Sequence, residues 1–136
     1  MAVFVIDASL AAAWCFKDEA TEYTENVLDA VSGPIAATAP RLWAYEIRNS
    51  ALSGVRRKRI TQMDGDDFLE SLRDLRIALT DPTSYDDVYA LASRYSLTVY
   101  DAAYLDLAMR EGLPLASLDS ELIRAAAQTG VGVFRP

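Results

Sequence analysis

"VFVIDAS", residues 3–9, runs four apolar residues directly into an aspartate that is followed by two small residues. The unbroken apolar stretch over residues 2–6 is the mark of a central parallel strand buried on both faces; a strand with one wet face would alternate. An aspartate directly beyond such a strand sits in a crevice and not on a loop tip, although an ordinary turn residue is the competing reading of Asp7 taken alone.

Downstream of this strand, "LAAAWCF" (10–16) reads as a short helix and residues 21–31 as another. Gly33 and Pro34 break the chain before "IAATA" (35–39), a second strand, and Pro40 introduces a helix from Arg41 towards Lys58. Phe68, Leu69, Leu72 and Leu75 place a helix over 64–75, and "RIALT" (76–80) is a short third strand closed by Pro82. A helix near 84–95 is followed by a helix opened by Asp101 just after "LTVY" (97–100), the same kind of junction as that at Asp7, and stopped by Gly112. "PLASL" (114–118) makes a strand, a last helix covers 120–128 and ends at Gly130, and "VGVF" (131–134) supplies a closing edge strand. Strands alternating with helices predict a three-layer α/β/α fold around a parallel sheet of about five strands, in one domain over 1–136.

Composition narrows the chemistry. The 136 residues are 51% hydrophobic, enough for a core without covalent staples. The single Cys15 cannot form an internal disulfide and reads as a small buried hydrophobe, as suits a reducing cytoplasm. No basic residue precedes the first apolar run and Asp7 interrupts it, so no targeting segment is read there, and no uncharged run is long enough for a membrane span. With no histidine, the chain lacks Ser-His-Asp and Cys-His systems and most catalytic zinc sites. A net charge of −7 opposes simple nucleic-acid binding unless something local reverses it. The one basic cluster, Arg56, Arg57, Lys58 and Arg59, is either a solvated helix end or a contact for phosphates. No phosphate-binding loop or dinucleotide fingerprint is present, and Asp7 lacks the paired acid of an aspartyl-phosphate receiver.

What remains abundant is carboxylate. In parallel sheets, ligands bind beyond the carboxyl ends of the strands. Asp7 follows "VFVI", Asp119 follows "LASL", and Asp101 stands at the start of a helix. Glu46 lies inside the helix after Pro40, where Glu46, Asn49, Ser50 and Ser53 make one polar stripe. Singly, Asp101 and Asp119 could be helix caps and Glu46 a solvated face. Together they mean more. Unit charges about 4 Å apart repel by roughly 4 kcal/mol at an effective dielectric near 20, so clustered carboxylates take up protons or hold cations. Mg²⁺ or Mn²⁺ is the natural partner of such oxygen ligands and would convert an acidic pocket into one that receives phosphate.

Four segments, "VIDAS" (5–9), "PRLWAYEIRN" (40–49), "YDAAYLDLA" (100–108) and "SLDSEL" (117–122), resemble those of a PIN domain in order and separation. More narrowly, the chain resembles a VapC-type toxin ribonuclease of a bacterial type II toxin–antitoxin pair. The resemblance implies that Asp7, Glu46, Asp101 and Asp119 form an acidic quartet that binds Mg²⁺ or Mn²⁺ and activates water for hydrolysis of RNA. In that reading Asp7 and Asp101 hold the principal ion, and Glu46 and Asp119 complete the ring. Ser9 and Asn49 match supporting polar positions, and Ser117 stands where threonine is common; either supplies a hydroxyl. Asp106 lies outside the motif and is read as a surface acid facing Arg110, with Asp18 and Glu19 near the mouth of the cleft. The resemblance further implies a cytoplasmic protein, a VapB-type antitoxin as partner, a homodimer, and contact with DNA only through the antitoxin. Two other readings stay open: a non-catalytic PIN-like module that binds metal or a partner, and a metal-dependent phosphatase of small molecules.

Overall fold

The N-terminal apolar run forms β1 (Ala2–Ile6), in which Phe4, Val5 and Ile6 are each 0% exposed, as a doubly covered strand requires. In a computed structural model that describes residues 1–136, β1 pairs in parallel with β2 (Ala36–Pro40) on one side and β4 (Leu115–Ala116) on the other. β3 (Ile77–Thr80) extends the sheet beyond β2, giving the order β3-β2-β1-β4. The chain thus leaves β1 for β2 on one flank and returns on the opposite flank as β4. Between β1 and β4 lies the switch point beyond which parallel sheets bind ligands.

Seven helices cover the sheet in the expected three-layer arrangement: α1 (Ala8–Ala12), α2 (Glu22–Ser32), α3 (Leu42–Arg56), α4 (Gln62–Ser71), α5 (Tyr85–Tyr95), α6 (Val99–Glu111) and α7 (Ser120–Thr129). α1 and α4 pack on α3, while α5 and α7 pack on α6. Local chemistry accounts for most ends. Thr21 and Thr61 open α2 and α4 with reciprocal capping boxes, and Ser84 caps α5. Gly112 and Gly130 stop α6 and α7 with φ of 65° and 80°, values that favour glycine. Fully buried Tyr104, Leu105 and Leu107 of α6 join Phe4, Ile6, Ile47 and Leu122 in one continuous core.

One expected strand and one expected junction differ. "VGVF" contributes only a bridge from Val133 to Leu115, with Leu115 N donating to Gly132 O and Phe134 N to Leu115 O. The sheet therefore has four strands and not five. Anchoring replaces length there: the Phe134 ring stacks on Phe4 at 3.8 Å, and Tyr23 Oη donates to Phe134 O. "LTVY" is not a strand. Ser96 ends α5 in the left-handed region, Thr98 caps α6, and Val99 and Tyr100 enter its first turn at 48% and 66% exposure. Asp101 consequently does not open α6; it is its third residue, with its amide donating to Thr98 Oγ1.

Gly54 marks the tightest approach of α3 to the segment after α1. A Cβ there would lie 2.5 and 2.8 Å from ring carbons of Phe16, which is buried and covered by the Arg59 guanidinium at 4.0 Å. Gly54→Ala should therefore lower stability by about 1–3 kcal/mol through overpacking, outweighing a gain of roughly 1 kcal/mol in helix propensity. Urea denaturation reads the difference as a lower midpoint at unchanged slope.

Candidate active site

Asp7 occupies the cap position of α1 yet makes no side-chain capping bond; its carboxylate is committed elsewhere. Ser9 Oγ and Ser117 Oγ both donate to Asp7 Oδ2, each at 2.6 Å. The two hydroxyls in turn accept from Leu118 N and Asp119 N, both at 3.0 Å, so the ends of β1 and β4 are tied together through one carboxylate. Asp7 is only 4% exposed, and burial raises its pKa, with the serine hydroxyls opposing and the Asp119 charge adding to the rise.

Glu46 lies within α3. Tyr104 Oη of α6 donates to Glu46 Oε1 at 2.6 Å. Burial raises the pKa of Glu46, the tyrosine bond opposes it, and the charges of Asp7 and Asp101 raise it further. Asp101, half-buried one helical turn before Tyr104, is raised by burial and then by the charges of Asp119 and Asp7, with the Thr98 hydroxyl opposing. The tyrosine itself is pushed far up by burial and by the Glu46 carboxylate it faces, so it stays a proton donor. Tyr104→Phe removes the group that holds Glu46 ionised. In a carbon-13 NMR titration the Glu46 carboxyl should then titrate at higher pH than in the wild type.

Asp119 has two roles. Its Oδ1 accepts from Glu121 N and Leu122 N and caps α7, while Oδ2 makes no hydrogen bond within the protein. The four acids, drawn from three helix starts and one helix interior, thus share one electrostatic pocket. No arginine or lysine figures among the groups that set the ionisation of Asp7, Glu46 or Asp101. No three of the carboxylates converge tightly enough to cage an ion by themselves.

Residues 4–128 match the family described as PIN domain. The chain belongs to the PIN domain family. This PIN domain is 35% identical, over 121 residues, to ribonuclease VapC3 of Pyrobaculum aerophilum, covering 87% of this chain and 90% of that one. Its fold is similar to the crystal structure of PAE2754 from the same organism, with a TM-score of 0.72 at 22% identity, over 91% of this chain and 84% of the other.

Beside the acids, the PIN domain opens a cleft of about 340 Å³ lined by Ser9, Asn49, Ser50, Ser53, Arg57 and Leu118, among others. Asn49, Ser50 and Ser53 of the α3 polar stripe therefore line the cleft, whereas Glu46 does not. The basic cluster is divided: Arg59 bridges Asp18 at 3.0 Å and Glu19 at 2.9 Å, whereas Arg56, Arg57 and Lys58 carry no ion pair. Glu19 lines the cleft and Asp18 a larger hollow of about 720 Å³ beside α4; none of the four acids lines either. Asp106 pairs with Arg110 at 3.3 Å, as its spacing predicts. Tyr104 is the functional candidate that sequence reasoning missed. Its signal was present, because three residues after Asp101 it shares that residue's face of the helix.

Proposed function

We propose that this PIN domain is a divalent-metal-dependent endoribonuclease, the toxin of a toxin–antitoxin pair, acting in the cytoplasm. The observation that carries the reading is four carboxylates brought to the carboxyl edge of the sheet with no cationic side chain to neutralise them. An oxygen-only donor set of this charge fits Mg²⁺ or Mn²⁺ and poorly fits soft metals. The likeness to ribonuclease VapC3 supports RNA as the substrate and a VapB-type antitoxin as partner; a second copy of the chain is proposed as a further partner.

Asp7 and Asp101 would hold the principal ion, with Glu46 and Asp119 completing the ring. When bound, the ion supplies positive charge for the scissile phosphate and acidifies a water. The side chains do the rest. Ser9 and Ser117 keep Asp7 in one orientation. Glu46, with Oε1 held by Tyr104, offers Oε2 to accept the proton of the attacking water. Arg57 in the cleft wall, with Arg56 and Lys58 beside it, meets the RNA backbone; Arg59 is withdrawn by its own acids.

Purified protein should cut unstructured RNA with Mg²⁺ or Mn²⁺ and leave p-nitrophenyl phosphate intact. Cleavage of the phosphate ester alone would favour the phosphatase reading, and cleavage of neither a binding module. Substitutions at Asp119 separate its two roles. Asp119→Asn keeps the cap and should leave stability near wild type while cleavage falls, whereas Asp119→Ala should also lose about 1 kcal/mol in thermal unfolding.

A further inference from the structure

α3 carries a second stripe that the acid cluster does not use. Arg41, Tyr45, Arg48, Leu52 and Arg56 follow one another at intervals of four, three, four and four residues. At 3.6 residues per turn they fall within an arc of roughly 80° and run about 22 Å along the helix. All five are exposed, Tyr45 to 80%, while Trp43, Ile47, Ala51 and Gly54 of the same helix are buried. Tyr45 immediately precedes Glu46, about 100° round the helix from it, so the stripe runs beside the face of α3 that carries that acid. Arg48 donates only to Ala44 O of its own helix, Arg56 has no ion pair, and Arg41 meets Asp81 in a pair mostly open to solvent.

We infer that this face of α3 is the track along which unpaired RNA enters the site, with Tyr45 stacking on a base beside the scissile phosphate. The inference rests on the ribonuclease reading and adds the state of the substrate and its path. In a chain of net charge −7, a face of three arginines whose one acid contact is the solvent-open Arg41–Asp81 pair is where a polyanion can approach. An exposed tyrosine ring stacks only on a base that has left a duplex, and arginine suits the phosphates to either side. A second copy docking on this face would set arginines against arginines, which disfavours self-association there.

The test uses full-length Asp7→Asn protein, which retains RNA, and a fluorescein-labelled unstructured RNA of about 12 nucleotides, with a hairpin of the same composition as comparison. Tyr45→Ala should weaken single-strand binding roughly 5- to 100-fold, and Tyr45→Phe should preserve it. Arg48→Ala with Arg56→Ala should reduce the slope of log K against log salt by about 1.4. Arg73→Ala, an exposed arginine paired with Glu70, should change neither. Unchanged affinity in the α3 variants, or a hairpin bound as tightly as the single strand, overturns the track. So does a change in sedimentation with RNA affinity intact, which would make the face a protein contact. Wild-type protein that binds RNA through this face but cuts none would uphold the track and count against the nuclease.

Discussion

Asp7→Asn is expected to cut RNA more than roughly 100-fold more slowly than the wild type and, without metal, to melt at a higher temperature. The loss of activity follows because even residues that merely support a metal ligand are worth 10- to 100-fold, and Asp7 would be a ligand. The gain in stability follows from its surroundings. Its carboxylate is buried, its pKa is raised, and two hydroxyls but no cation stand against it. Asparagine still accepts from Ser9 and Ser117 through its oxygen and carries no charge into the crevice. Removal of the buried charge should be worth on the order of 1 kcal/mol, or about 4 °C. Calorimetry in EDTA at pH 7.5, beside a gel assay of RNA cleavage, checks both effects. A variant that melts below the wild type while losing activity would mean that Asp7 serves the fold.

The same charges set the pH dependence. Asp7, Glu46 and Asp101 have folded pKa values above their ordinary ones, so the folded state binds more protons than the unfolded in the window just above about pH 4. Their ionisation is a penalty that is fully present above the raised values and relieved as pH falls through them. For these groups, metal-free protein should gain stability on mild acidification, and Asp7→Asn should show less of that gain. Divalent metal should remove the penalty at neutral pH. At an ion concentration 100 times its dissociation constant the stabilisation is about 2.7 kcal/mol, on the order of 10 °C in a domain of this size. The shift should shrink as protons compete below pH 6 and disappear in Asp7→Asn. Melting curves with and without Mn²⁺ at two pH values read it directly.

Much of this site was legible in the chain because its parts lie where local rules are strong. β1 announces itself by an unbroken apolar run, and Asp7 follows it at the only edge where a parallel sheet leaves room. Glu46 was readable as one of a polar stripe, although only the fold shows that Asn49, Ser50 and Ser53 of it line a cleft while Glu46 accepts from Tyr104. "LTVY" misled because β-branched and aromatic residues look alike in a strand and in an exposed first turn; the Thr98 cap decided for helix. "VGVF" lacked the length to form a ladder and is held by Phe134 packing on Phe4, a contact 130 residues apart that no local pattern carries. Arg59 looked free beside its basic neighbours, yet Asp18 and Glu19, some forty residues earlier, claim it.

The most direct measurement is single-turnover cleavage of an unstructured RNA by chelator-treated protein as Mg²⁺ or Mn²⁺ is added back. Cleavage should be absent at first, rise saturably with the ion, and fail to appear at any concentration in Asp7→Asn. Full cleavage in EDTA, or none by the wild type at any metal concentration, would contradict a four-carboxylate metal site as the source of this protein's activity.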